Sequence, residues 1–279
     1  MRGDGDGWVV GENGTRHWGR YGAAGLLLRA PSADGEPTVL LQHRALWSHQ
    51  GGTWALPGGA KDSHESAVTA AVREADEEAG IGAARLNVRG EKLTATAPSG
   101  WTYTTVVADT DAQLLTTPNG ESTELRWVPE SMVDALPLHP GFAASWPTLR
   151  TEPLRVLLDT ANVLGSRPNG WWKDRSGATG DLLTSLADAL PRTVELPGGT
   201  YGWLTTIEAV LEGDARAARF DDARVPVIHA SGSGDDELAR RAHDGSALTA
   251  LVTADRGLKE RLPTAVQVLP PSTVLGWLS

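Results

Sequence analysis

The sequence predicts an α/β protein built from two unlike domains, and three features carry that prediction. Two short apolar runs flank a turn-rich PSADGEP, then come a helix of small apolar residues and three more strand-like runs. From Leu154 the pattern changes to a continuous apolar run, RVLLDTANV, of the kind a strand buried on both faces needs. The length of 279 residues, 40% of them hydrophobic, suffices for two modest cores at roughly 150 residues per domain.

The elements follow in order. Residues 1–20 are rich in Gly, Asp and Asn without a sustained period, so they are expected to be mobile or loosely packed, with order beginning at Tyr21. Gly22 to Arg29 and Thr38 to Arg44 read as paired strands, and Ala45 to Ala55 as a long loop. Glu65 to Ala79 is helical by spacing and closes at Gly80, a C-terminal cap. Strands are expected at Arg85 to Thr96, Trp101 to Ala108 and Glu124 to Val128. Pro129 opens a short helix, and His139 to Leu149 is a further helix broken near Pro147. A boundary falls at Thr151 to Pro153, giving domains of 21–151 and 154–279. Beyond it, strands at Arg155 to Asp159, Val225 to His229, Ala250 to Thr253 and Val266 to Leu269 alternate with helices at Gly180 to Leu190, Trp203 to Leu211 and Asp235 to His243. That alternation predicts a parallel βαβ sheet.

Composition excludes several functions. Without cysteine there are no disulfides, thiolate metal sites or cysteine nucleophiles. No apolar run reaches the roughly 18 residues that span a bilayer, and Met1 to Gly7 lacks a signal peptide's apolar core, so a cytoplasmic location with no membrane partner is expected. A net charge of -10 is shared by both halves, so a nucleic-acid partner would need a local basic surface or metal ions.

The most informative stretch is Gly59 to Ile81. On a helix, Glu74 and Glu78 lie four residues apart on one face and Glu77 flanks them, while Asp76 points away. Carboxylates crowded in this way repel one another unless cations intervene, and hard oxygen ligands beside a loop glycine favour Mg²⁺ or Mn²⁺. Arg73 stands four residues before Glu77 and within reach of Glu65, where it can fix the carboxylates. Gly58 and Gly59 let the backbone approach metal or phosphate. The competing reading is a solvated acidic face.

This stretch resembles the Nudix box, GX₅EX₇REUXEEXGU with U a bulky aliphatic residue, and every fixed position agrees; only Ala75 is small for its U position. The resemblance extends over Tyr21 to Arg150, including WALPGG at Trp54 to Gly59 and ELRWVP at Glu124 to Pro129. It implies an α/β/α sandwich with a mixed sheet, and divalent-metal-dependent hydrolysis of a nucleoside diphosphate linked to another group. Glu74, Glu77, Glu78 and the Gly59 carbonyl would hold the metal, with Arg73 in support and Gly58, Gly59 and Arg44 binding substrate. An acidic residue outside the box, Glu121 or Glu124, would assist as ligand or base. Tyr103, Trp101 and Trp47 read as core aromatics, base stacking being the other reading. His43, His49 and His64 show no metal-ligand spacing.

In the second half, Asp159, Asp235 with Asp236, and Asp255 each follow the carboxyl end of an expected parallel strand, where ligands of open α/β sheets bind. Helix capping is an equal explanation. The segments DTANV, GSGDDEL and VTADRGL resemble the PIN-like nucleases, especially the NYN branch, whose parallel sheet is Rossmann-like. That resemblance implies Mg²⁺-dependent cleavage of RNA with Asp159, Asp236 and Asp255 as ligands, Asn162 and Asp235 completing this second site. Arg240, Arg241, Arg256, Lys259 and Arg261 could form a basic strip for RNA. Two other readings stand beside a two-site enzyme: a nucleotide sensor without turnover, and a Nudix enzyme whose second domain only binds.

Overall fold

A computed structural model describes residues 3–12, 14–167, 170–245 and 248–278. The chain divides into two compact units, Met1–Thr151 and Glu152–Ser279.

The first unit opens with a hairpin of β1 (Trp8–Val10) and β2 (Arg16–Trp18), where a mobile segment was expected; Met1, Arg2 and Asn13 of that segment lie outside the described residues. Its polar residues are used as ties rather than left to solvent. Asp4 accepts from the Ser63 N–H and hydroxyl at 3.0 and 2.6 Å, and Asp62 accepts from the Gly5 N–H at 2.7 Å.

The main sheet centres on β3 (Ala23–Pro31), buried along almost its whole length. The PSADGEP turn returns the chain into β4 (Pro37–Arg44), as expected. Short strands β5 (Trp54–Ala55) and β6 (Gly58–Ala60) pair with β4 and β3, so the Gly-Gly step lies directly against Ala24 and Gly25. Helix α1 (Ala67–Ala79) is capped by the Ser66 hydroxyl and stopped by Gly80 at φ 71°. Strands β7 (Asn87–Thr96), β8 (Thr102–Asp109) and β9 (Ser122–Pro129) complete a mixed sheet, with β8 parallel to β3 and β9 antiparallel to β4. Helices α2 (Glu130–Val133) and α3 (Pro140–Ser145) follow, and Pro147 sits in the tight turn that ends the latter.

Ala70, Ala71, Ala75 and Ala79 of α1 pack on Leu26, Leu28, Leu40 and Val106. The small residue at position 75 therefore has a packing reason: a helix of alanines lies close on the sheet. On the opposite face Arg29 is fully buried. It donates to Glu130 at 2.6 Å and to the Leu149 carbonyl, while Glu130 accepts from Thr151, fastening the end of the unit.

The second unit has a six-stranded sheet. β10 (Thr151–Asp159) leads into helices α4 (Thr160–Gly165) and α5 (Arg175–Asp188), then β11 (Arg192–Glu195) and β12 (Tyr201–Leu211). β13 (Val227–His229), α6 (Gly234–His243), β14 (Leu248–Val252), α7 (Arg256–Lys259), β15 (Gln267–Leu269) and α8 (Pro271–Leu275) complete it. The order is β11-β12-β10-β14-β15, with β13 beside β12. β10, β14 and β15 run parallel, as expected, but β11 and β12 are antiparallel, so the sheet is mixed rather than purely parallel. The expected helix at Trp203 to Leu211 is the strand β12. Core residues pack on both faces: Val156, Leu158 and Val252 on one, Leu157, Val210 and Leu251 on the other. Among the described residues, no helix is long and apolar enough to cross a membrane.

Candidate active site

Helix α1 carries its carboxylates to the Gly-Gly step of β6. Glu78 is buried, and its Oε2 accepts from the Gly58 N–H at 2.7 Å and from Gln42 Nε2 at 3.3 Å. Gln42 is held in turn: Nε2 also donates to the Leu56 carbonyl at 3.0 Å, and Oε1 accepts from Ser122 Oγ at 2.7 Å. Burial pushes the Glu78 carboxyl up to about 8, against the pull of the Gly58 N–H, and Glu74 and Glu121 push the same way while Arg44 opposes them. Glu74 is also raised, chiefly by burial, with Arg73 opposing.

Arg73 is the hub of the cluster. Nε and Nη2 grip Glu65 at 2.8 and 3.0 Å, Nη1 donates to Glu74 at 2.8 Å and reaches Glu77 at 3.5 Å, and Nη2 also donates to the Ala60 carbonyl at 3.0 Å. Glu65 is pulled below the usual carboxylate range mainly by that contact. The guanidinium thus spans loop and helix, as a fork of fixed donors can.

These residues fit a divalent cation. Glu74, Glu77 and Glu78 offer only hard oxygen ligands, and Glu74 and Glu78, raised chiefly by burial, also push against each other, a repulsion a cation would relieve. A Cβ at Gly59 would lie 2.5 Å from Glu74 Oε1, so only glycine leaves that space free. Among the described residues, the one group of three ionisable side chains with ligand atoms within 4.8 Å is Asp4, Asp62 and His64. Hydrogen bonds that tie down the N-terminal segment already engage that group's two aspartates.

Glu124 does not join the cluster. A bulge at His43 and Arg44 pairs Arg44 with Ser122 but His43 with Glu124, shifting the pleat by one residue. Gln42, Leu125 and Ser122 face α1, whereas Glu124 shares the opposite side with His43 and is gripped by Arg126 at 2.8 and 2.9 Å. Glu121, just before the bulge, is the outside acid whose charge acts on Glu74 and Glu78. Arg44 lies within the field of Glu78 and Tyr103 and donates to the His49 carbonyl at 3.1 Å. Trp47 is not a core residue: it is 73% exposed. Tyr103 and Trp101 are half-buried, and the Tyr103 hydroxyl lodges where a Cβ on Gly25 would lie, 2.0 Å away. Gln42 thus holds Glu78, and Glu121 acts on its charge; the only sequence signal for Gln42 is an amide interrupting the apolar run TVLLQ.

In the second unit a cleft of about 540 Å³ is lined by Asp159, Asn162, Glu212, Asp235 and Asp255. Asp159 ends β10, Glu212 follows β12 and Asp255 follows β14. The aspartates also cap helices: Asp159 accepts from the Asn162 N–H at 3.0 Å and Asp255 from the Leu258 N–H at 2.8 Å. Asp159 accepts from Thr253 Oγ1 at 2.8 Å, and Asn162 Oδ1 from the Ala254 N–H at 2.9 Å. Burial raises Asp159 and Asp235, and Asp255 and Glu212 add to the rise at Asp235. Asp236 is not in the lining; it is 71% exposed and paired with Arg261 at 2.7 Å. Glu212, which no motif marks, takes the place expected of Asp236 and accepts from the Gly234 N–H at 2.7 Å. The expected basic strip is largely neutralised. Arg240 pairs with Glu237 and Asp244, Arg241 with Glu237 and Glu208, and Arg261 with Asp236.

Comparison with known proteins agrees with the first unit. The NUDIX domain family matches residues 20–149. A Mycobacterium tuberculosis protein named "Putative 8-oxo-dGTP diphosphatase 3" is 54% identical over 213 residues, 75% of this chain and 88% of that protein. The alignment is longer than the first unit and so runs into the second. A "Nucleoside triphosphate pyrophosphatase/Nudix hydrolase fusion protein" of Bifidobacterium longum is 41% identical over 148 residues, 51% of this chain and 30% of that protein. The crystal structure of RenU, a Nudix hydrolase from M. smegmatis, superposes with a TM-score of 0.51 at 64% identity, covering 52% of this chain and 93% of its own. With the box residues gathered on one helix against a glycine step and relatives of this similarity, the chain belongs to the Nudix family and is a pyrophosphohydrolase.

Proposed function

We propose that the first unit hydrolyses the pyrophosphate bond of a nucleoside diphosphate linked to a further group, nucleoside triphosphates included, using Mg²⁺ or Mn²⁺ held by Glu74, Glu77, Glu78 and the Gly59 carbonyl. The observation that carries this reading is the buried Glu78 carboxyl, fixed by the Gly58 N–H and Gln42 on the helix turn next to the Arg73–Glu74 contact. The bound cation would polarise a phosphate oxygen and lower the pKa of a coordinated water. Arg73 keeps Glu74 and Glu65 in place, Arg44 binds a phosphate oxygen, and Glu121 takes the proton of the attacking water. The relative named for 8-oxo-dGTP makes oxidised and unmodified dGTP the first substrates to test, followed by dinucleotides, nucleotide sugars and RNA 5′ ends. Turnover that requires the divalent cation and disappears in Glu78→Gln supports the reading. Full turnover in that variant refutes it.

A second reading concerns the acidic cleft: a cation-dependent phosphodiesterase of the PIN-like type acting on RNA. Four converging carboxylates favour it; the neutralised arginines weigh against tight RNA binding. Cleavage of single-stranded RNA in Mn²⁺ that is lost in Asp159→Asn supports it, and a parent chain inert toward RNA removes it.

A further inference from the structure

Two tryptophans of the N-terminal hairpin stand half in solvent, Trp8 against His49 and Trp18 tied to Trp101. Trp8 and Trp18 are directly opposite in β1 and β2, their rings edge to face at 5.2 Å, and remain 46% and 42% exposed. A two-stranded hairpin of three-residue strands has little stability of its own. This one is fastened to the body at both ends: by Asp4 and Asp62 on one side, and by Trp101 Nε1 donating to the Trp18 carbonyl at 2.9 Å on the other.

From the hairpin, two chains of contacts lead toward the carboxylates, one from Trp8 and one from His17 on the other face of β2. On one, Trp8 meets His49 at 5.8 Å, the His49 carbonyl accepts from Arg44, and Arg44 lies in the field of Glu78. On the other, His17 stacks on Trp101 at 4.5 Å, Trp101 neighbours Tyr103 at 6.2 Å, and the Tyr103 hydroxyl feels Glu78 and Glu74. His139 lies 6.3 Å from His49, and its Nδ1 accepts from the Gly141 N–H at 3.1 Å. In a neutral ring this leaves the proton on Nε2, a donor.

We infer that the Trp8–Trp18 hairpin is the nucleobase platform of this enzyme: a purine stacks on the face of one exposed indole and meets the edge of the other, His139 Nε2–H donates to the base edge, and the phosphates extend past Arg44 to the box. Aromatic faces held open to solvent match a nucleobase better than a protein partner, because the surface is only two rings wide and Trp8 lies against His49, whose carbonyl accepts from Arg44. The inference rests on the pyrophosphohydrolase reading for the position of the phosphates, and its test is separable from turnover.

The test is calorimetric titration of the full-length protein with guanosine monophosphate and, as a base-free probe, with inorganic pyrophosphate, in Mg²⁺. Base stacking of the usual strength predicts that Trp8→Ala and Trp18→Ala each weaken the nucleotide about tenfold. Trp8→Phe restores most of the loss, and pyrophosphate affinity stays unchanged throughout. In the hydrolysis assay the same alanine variants raise KM and leave kcat within about twofold. Unchanged nucleotide affinity in both alanine variants overturns the inference; so does a parallel loss for pyrophosphate, which would mean that the hairpin only props up the site. A binding pattern as expected in a chain that hydrolyses nothing would refute the catalytic reading while leaving the platform in place.

Discussion

Glu78 is the residue on which most depends, and its burial makes its behaviour testable in two ways. A carboxyl held near 8 in the folded metal-free chain, against about 4.3 when unfolded, binds its proton more tightly in the native state. Its contribution is therefore fully present below the unfolded value and is lost as pH rises through about 8, at up to about 1.4 kcal/mol per pH unit. Glu78→Gln keeps an acceptor for the Gly58 N–H and removes the buried charge. The expected outcome is a metal-free protein whose thermal midpoint exceeds the parent's at pH 8 and matches it near pH 5, together with loss of hydrolysis; scans with chelator at the two pH values check it. Arg73→Lys replaces a five-donor fork by a point charge that cannot hold Glu65, Glu74 and the Ala60 carbonyl together. A 10–100-fold loss in kcat/KM with unchanged folding is expected from such a supporting partner, measured by steady-state kinetics beside circular dichroism. At this scale the sequence was most legible: the spacing of Arg73, Glu74, Glu77 and Glu78 names the cluster, whereas Gln42 is invisible until β4 is laid beside α1.

At the level of elements, the one-residue bulge in β4 and β9 decides which acid belongs to the site. Counting along a regular strand does not reveal that Ser122 faces α1 while Glu124 faces away. Glu124→Gln should leave kcat within about twofold, and Glu121→Gln should lower it at least about tenfold; a reversed order in the assay would place the catalytic acid on the other face. The close seat of α1 makes a second prediction. Ala75→Leu forces extra volume between helix and sheet and should cost about 1–3 kcal/mol in denaturant unfolding. Two elements eluded the sequence for opposite reasons. In β12, apolar residues at 203, 204, 207, 210 and 211 imitate a helical stripe, but the strand is buried on both faces, and its β-branched Thr205, Thr206, Ile207 and Val210 were the better guide. Around β1 and β2 the Gly, Asp and Asn content of residues 1–20 implies mobility, although Asp4 and Gly5 serve as hydrogen-bond ties to the loop before α1.

For the molecule as a whole, each unit has its own core, and the continuous apolar run that begins at Leu154 forms the first strand of the second. The arrangement of the acidic cleft was only half legible. Strand-end aspartates mark the correct edge of the sheet, but which of Asp235 and Asp236 turns inward depends on the first turn of α6, and Glu212 arrives from a strand that reads as a helix. RenU, matched over 93% of its length by 52% of this chain, shows a fold of about this extent without the remainder. Residues 1–151, which keep the Glu130 contacts to Thr151, should therefore retain turnover of a small nucleotide within about threefold, as checked by comparing the truncated and full-length chains. The most direct test of the account is hydrolysis of 8-oxo-dGTP and dGTP in Mg²⁺ or Mn²⁺ by the parent, Glu78→Gln and Asp159→Asn chains side by side. Metal-dependent release of nucleoside monophosphate is expected from the parent and from Asp159→Asn, and none from Glu78→Gln; equal turnover in Glu78→Gln, or its loss in Asp159→Asn alone, would contradict the assignment of hydrolysis to the α1 carboxylates.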